Sequence, residues 1–369
     1  MNRKVGFSPS MRYVSKEDVD HIALGASFLA AGGGGNVEVG KLLLKRAIEK
    51  HGKVKLISLD ELQDEDFIIP LGEMGAPVVG LEKFGRGDEP SLVVKYLSKK
   101  LGRIATAVTA VEVGGGNSMI PMVAAAQLGI PMVDADSMGR AFPETQMTSY
   151  HIHGVSANPF AIIDERGNEC QIEAVDTFWA EKISRNITSL MGARSTVATF
   201  AMDGRTAKRA CVGGTITLSQ TIGRILSESD NEEKLPMLLK QVSGTLLFRG
   251  KIVDVNRQTV GGFNKGGVVL QGTDEDSDST CRINFQNENL ICYVGDRVVA
   301  TVPDIIAILN AESLIPITTE ELRYGFRTVV VGLPAAPIWR TRAGIEVAGP
   351  KYFGYDVEYI PVEVRSKRE

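Results

Sequence analysis

Glu112, Asp134, Asp136, Arg140, Glu144, His151 and His153 all fall within the stretch Val111–His153. The carboxylates suit general acid–base chemistry or coordination of a hard divalent metal. The imidazoles add bases or metal ligands that titrate near neutrality. His151 and His153, two residues apart, share one face if their segment is extended. With Asp134 and Asp136 they could form a mixed nitrogen–oxygen site for a divalent metal, although HExxH and diagnostic three-ligand spacings are absent. Asp134 is the preferred general base, because it follows the apolar run Ile130–Val133 and would be held at a sheet end. Asp136 would orient the substrate or act as a hydrogen-bond partner. The competing reading has both aspartates capping a helix or binding turn amides. Arg140 suits a substrate carbonyl or carboxylate, with an ion pair to Glu144 as the structural competitor. Asn117 would bind an amide-like substrate or cap its own helix, and Glu112 could likewise hold local N–H groups.

Glycine runs offer backbone groups for ligand contact. GGGGN at 32–36 makes Gly33, Gly34 and Asn36 candidate substrate contacts, as does Gly115 in the triplet 114–116; Glu73 falls in a glycine-rich turn. GGGGN is neither GxGxxG nor GxxxxGK[ST], and it follows a helical pattern, so no nucleotide cofactor is expected. Cys211 precedes Val212-Gly213-Gly214 and is a nucleophile candidate, with a buried small residue as the default reading.

The elements that must position these groups are legible from periodicity. Ser15 with Glu17 and Asp18 starts a helix, and Val39–Lys50 and Pro90–Leu101 read as two more. Strands are expected at Val54–Leu59, Phe67–Leu71, Arg103–Val111 and Pro131–Val133, with a helix over Asn117–Leu128 between the last two. That rhythm predicts a mostly parallel sheet in a three-layer α/β domain, placed at residues 14–170 and carrying the site. Residues 171–369 form the second domain. It begins with a helix over Thr177–Met191, a strand over Thr196–Met202, a continuation of the sheet over Thr206–Cys211 and a helix over Thr215–Leu226. An antiparallel β module follows around residues 243–302, and Thr318–Leu322 reads as a short helix.

A length of 369 residues makes two domains the default, and 43% hydrophobic content supports sizeable cores. A formal charge of −4 argues against nonspecific nucleic-acid binding. No run of 18 apolar residues predicts a membrane span, and residues 1–20 lack the apolar core of a signal peptide. Four cysteines without CxxC spacing fit a reducing cytoplasm, and a homo-oligomer is the base-rate expectation.

GGGGN at 32–36, PLGEMGAP at 70–77, VEVGGGNS at 111–118, GIPMVDADSMGRAFPETQMTSYHIHG at 129–154 and GPKYFGYDVEYIP at 349–361 occur in one order along nearly the whole chain. In this the sequence resembles the domain-of-unknown-function 917 family, also called the S-methyl thiohydantoin desulfurase family. The resemblance implies an N-terminal α/β domain followed by a C-terminal domain with a β-rich region. It also implies association with hydantoin utilisation, a cyclic small-molecule substrate and a hydantoin-processing protein partner. Hydrolytic replacement of a ring methylthio group by water-derived oxygen is the activity it suggests. The alternatives are a hydantoin amidohydrolase or accessory subunit, and a noncatalytic sensor or scaffold.

Overall fold

Short apolar strands alternating with amphipathic helices build a mixed sheet in the first part of the chain, as the computed structural model shows for residues 13–35, 37–75, 79, 83, 85–260 and 263–367. The strands up to residue 213 are β1 (Tyr13–Val14), β2 (Val54–Ile57), β3 (Phe67–Gly75), β4 (Ala107–Ala110), β5 (Met132–Val133), β6 (Ala135–Asp136), β7 (Phe160–Ile163), β8 (Glu169–Ile172), β9 (Arg194–Ala198), β10 (Met202–Asp203) and β11 (Val212–Gly213). The large sheet has the order β1-β2-β5-β4-β3-β9-β7-β8, with β10 also on β3; β6 and β11 pair separately. The central strands β2, β5, β4 and β3 run parallel, and the flanking pairings are antiparallel.

The helices of the same region are α1 (Lys16–Leu29), α2 (Val37–His51), α3 (Glu89–Leu101), α4 (Ile120–Leu128), α5 (Ser149–Ile152), α6 (Thr177–Leu190), α7 (Gly204–Ala210), α8 (Thr215–Glu228) and α9 (Asn231–Val242). They cover both faces of the sheet. Ile69 and Leu71 of β3, with Ala161 and Ile163 of β7, join a core containing α1, α3, α4 and α8. Their alternates Ile68, Phe160 and Ile162 join a second core with α6 and α7. Period-two burial on opposite faces makes three layers.

α1 begins at Ser15 as expected, and the Ser15 N–H donates to Asp18 at 2.9 Å in a capping box. α1 and α8 meet through two glycines. A Cβ on Gly25 would lie 1.8 Å from the Ser219 carbonyl oxygen, and one on Gly223 1.8 Å from that of His21. Two expectations change. Residues 206–210 form helix, not strand, because the Asp203 side chain accepts from the Thr206 N–H at 2.8 Å and starts α7. Thr318–Leu322 is turn rather than helix.

The later strands are β12 (Thr245–Val260), β13 (Phe263–Gly272), β14 (Thr280–Gln286), β15 (Glu288–Val294), β16 (Arg297–Thr301), β17 (Ile305–Asn310) and β18 (Arg327–Leu333). They form one antiparallel sheet in the order β16-β15-β14-β13-β12-β18-β17. This sheet is not isolated from the first part. Leu309 and Val331 enter the same core as α1 and α8, while the N–H of Asn289 donates to the Ala31 carbonyl at 2.8 Å. The start of β15 is thereby fixed against the glycine run after α1. Among the described residues, no helix is long and apolar enough to cross a membrane.

Candidate functional site

Glu112 leaves the end of β4, and the glycine triplet behind it turns the chain into α4. That turn abuts the first glycine run. A Cβ on Gly34 would lie 2.5 Å from the Gly114 carbonyl carbon, and one on Gly115 2.3 Å from the Gly34 carbonyl oxygen. Both glycines have positive φ, at 75° and 61°. The two loops therefore meet backbone to backbone.

Asn117 fixes the side chain of Glu112. Its amide oxygen accepts from the Glu73 N–H at 2.6 Å, while its NH2 donates to the Glu73 carbonyl at 3.3 Å and to Glu112 Oε1. It clips the end of β3 to Glu112 rather than capping α4. Glu73 reaches Arg194 of β9 at 2.6 Å.

These groups line a cavity of about 140 Å³. Its acidic wall consists of Glu73, Glu112, Glu144 and Glu288; Arg185 and Arg194 are also in the wall, and Phe142, Met138 and Ile120 supply apolar surface. The size suits a small ring, since an apolar protein cavity of about 150 Å³ holds benzene.

Glu112 and Glu288 are 9% and 2% exposed, and the Oε2 atom of each has no hydrogen-bond partner among the described residues. Burial pushes the Glu112 carboxyl up to about 8, against hydrogen bonds from Asn117 and the Phe142 N–H. Burial, and then the charge of Glu112, raises Glu288 well above the usual carboxylate range, with Arg140 opposing. Arg140 is itself buried, and burial brings it down to about 10 against the attraction of Glu288, Asp304 and Glu112. Its guanidinium donates to the carbonyls of Ala141, Pro303 and Asp304 at 2.9, 2.7 and 2.9 Å. Burial thus favours the protonated form of both carboxyls, and the charge of Glu112 adds to the rise at Glu288.

Asp134, Asp136, His151 and His153 lie outside this wall. Asp134 accepts from the N–H groups of Ile216 and Thr217 at 2.8 and 3.2 Å and from the Thr217 hydroxyl, at the start of α8. Asp136 accepts from the N–H groups of Val113, Met138 and Gly139 at 2.8, 3.0 and 2.9 Å. Burial nevertheless raises Asp134, and raises Asp136 to about 7. Both occupy the capping and turn-binding roles, and neither lines the cavity. Asp136 instead shapes the turn that delivers Arg140.

His151 and His153 do not share a face, because residues 149–152 are helical, capped by Thr148. His151 meets Phe178 edge-on at 5.5 Å, and burial holds both imidazoles below their ordinary range. Among the described residues no three or more His, Cys, Asp or Glu side chains converge as metal ligands, so Asp134, Asp136, His151 and His153 make no joint donor set. Glu144 accepts from the Tyr352 hydroxyl at 2.9 Å instead of pairing with Arg140. Gly33 borders Glu288, Gly34 lines the cavity, and Asn36 lies outside the described residues. Burial pushes the Cys211 thiol up to about 12, which leaves it unreactive.

Glu288 and Arg194 escaped the sequence reading. The available signal was an acid opening the apolar strand ENLICYV, and a base opening RSTVA.

No curated protein matches the chain. A crystal structure of a protein from Chromobacterium violaceum is similar, with a TM-score of 0.82 and 24% identity over 95% of this chain and 99% of that one. This likeness concerns the fold. The family descriptions "S-Me-THD-like, N-terminal domain" and "S-Me-THD-like, C-terminal domain" match residues 17–174 and 175–362. The chain therefore belongs to the S-Me-THD-like family, the S-methyl thiohydantoin desulfurase family, along almost its whole length.

Proposed function

We propose that the chain hydrolyses the exocyclic carbon–sulfur bond of an S-methyl thiohydantoin-like ring, with Glu112 and Glu288 as its acid–base pair. The observation that carries this reading is the presence of two buried carboxyl groups on one cavity, each with an oxygen that has no hydrogen-bond partner among the described residues. With Glu288 protonated and Glu112 ionised, the pair offers an acid and a base together. Glu288 as the acid protonates the ring nitrogen of the C=N bond that bears the methylthio group. Glu112 as carboxylate takes a proton from water, whose oxygen bonds to that carbon. Collapse of the tetrahedral adduct breaks the C–S bond. Glu112 returns its proton to the departing sulfur, giving methanethiol, and the new hydroxyl passes its proton to Glu288. The ring keeps a carbonyl and an N–H, and both glutamates recover their starting states. Arg140 limits the charge that accumulates behind the pair.

Purified protein assayed against S-methylated thiohydantoins and unmodified hydantoins, with products resolved by mass, tests this. Conversion of the former to hydantoin and methanethiol is expected. Ring opening of the unmodified hydantoins would favour an amidohydrolase. No turnover by folded protein, restored on adding a hydantoin-processing partner, would favour an accessory subunit.

A further inference from the structure

We propose that the Glu112–Glu288 pair is a receptor for a planar N–C–N group in its cationic form, so that the cavity selects amidinium-type rings over their neutral urea-type counterparts. This rests on the cavity being the substrate site, as above, and adds what the site recognises.

Charge around the cavity leans one way. Glu73, Glu112, Glu144 and Glu288 stand in its wall with Arg185 and Arg194. The two arginines are already paired, Arg194 with Glu73 and Arg185 with Glu181. Arg140 is not in the wall; its Nε and Nη1 donate to the carbonyls of Ala141, Pro303 and Asp304, and its Nη2 has no hydrogen-bond partner among the described residues. Glu144 is held by the Tyr352 hydroxyl and Gln146. Among the described residues, Glu112 and Glu288 thus stand in the wall without a countercharged partner, and Oε2 of each, an acceptor when the carboxyl is ionised, has no hydrogen-bond partner. Two acceptors on one small cavity match two N–H donors on one edge of a ring. An entering cation supplies a countercharge, so the carboxyls ionise against it rather than as uncompensated buried charges. Charge-assisted hydrogen bonds of this kind are stronger than neutral ones.

The same arrangement separates substrate from product. The methylthio-substituted C=N edge can carry a proton and become amidinium-like. After hydrolysis that carbon bears a carbonyl oxygen, an acceptor set against acceptors, and the edge is neutral. Product release is thereby favoured without any movement of the chain.

The test uses the full-length protein and calorimetry with two ring-sized probes, the cyclic guanidinium 2-aminoimidazoline and its neutral isostere imidazolidin-2-one. The cation is expected to bind at least about ten-fold more tightly, the gain of one charge-assisted bond over a neutral one. Glu288→Gln should remove most of that preference, and Arg205→Lys, at an exposed ion pair with Asp64 away from the cavity, should retain it. Equal binding of the two probes by the wild type, tighter binding of the neutral probe, or no binding of the cation would overturn the inference. If the cation fails to bind while S-methyl thiohydantoins are still hydrolysed, the recognition claim falls and the hydrolytic reading stands. If the cation binds selectively but no thiohydantoin is turned over, the reverse holds.

Discussion

Gly33 and Glu288 share a space that only glycine leaves open, since a Cβ on Gly33 would lie 2.0 Å from Glu288 Oε1. The carboxylate occupies the volume a side chain would fill. Gly33→Ala must move the acid off its position, because the start of β15 is pinned to Ala31. A displacement on the order of 1 Å at a reacting group costs about a hundred-fold in rate. We expect kcat to fall by about that factor, with far-UV circular dichroism unchanged. Unaltered kcat would show that Glu288 does not act in the reaction.

Asn117→Ala removes one of the hydrogen bonds that favour ionised Glu112, so the carboxyl should climb above its already raised value of about 8. Fewer molecules then carry the base form at neutral pH. The acid limb of the pH–rate profile should move to higher pH, a shift that a purely structural loss would not produce. The Glu73 N–H also loses its acceptor, which should cost about 1–3 kcal/mol of stability in urea titration.

Stability itself should depend on pH in an unusual sense. Burial raises Glu112 to about 8 and Asp136 to about 7, above their unfolded values of 4.5 and 3.8. The folded state binds the extra protons, so this contribution is present at low pH and is lost as pH rises through about 7 to 8. Tm should fall between about pH 5.5 and about pH 8.5, a window chosen to span that loss. Glu112→Gln should flatten the decline. A Tm that rises across the window, equally in wild type and variant, would contradict the assigned shifts.

Asp134→Asn separates two roles for the carboxylate that sequence reasoning placed first. Both oxygens are engaged at the start of α8. The variant should lose about 1 kcal/mol of stability, as weakened N-caps do, with kcat within a few-fold of wild type. A loss of activity as deep as that of Glu112→Gln, in a folded variant, would return Asp134 to the chemistry.

Gly25→Ala and Gly223→Ala should each destabilise by about 1–3 kcal/mol or more, since the added methyl meets backbone rather than a yielding side chain. Guanidinium unfolding midpoints check this. Unchanged midpoints would mean that α1 and α8 separate freely.

Much of this architecture was legible in the sequence, and the reasons differ by residue. The parallel centre followed from short apolar runs alternating with helices, and the β-rich region from period-two runs between turns. Glu112 stood out because a strand ends on it beside three glycines. Asp134 and Asp136 drew notice for the same reason, yet a strand-end carboxylate serves equally well as a cap. Only the position of α8, some 80 residues later, decides between those roles. The His151–His153 spacing was informative only for an extended chain, and Thr148 starts a helix there. Glu288 was hidden by distance, because a residue 176 positions after Glu112 reaches it only once the second sheet has closed on the first glycine run. Local pattern does not encode that closure.

The most direct test of the central claim is turnover of an S-methyl thiohydantoin in water labelled with heavy oxygen, by wild type and by Glu112→Gln. The account predicts methanethiol release with one label in the ring carbonyl, and a rate lower by about 10²–10⁴ in the variant, the usual contribution of a general acid–base group. Label appearing in methanol, or full-rate turnover by Glu112→Gln, would contradict it.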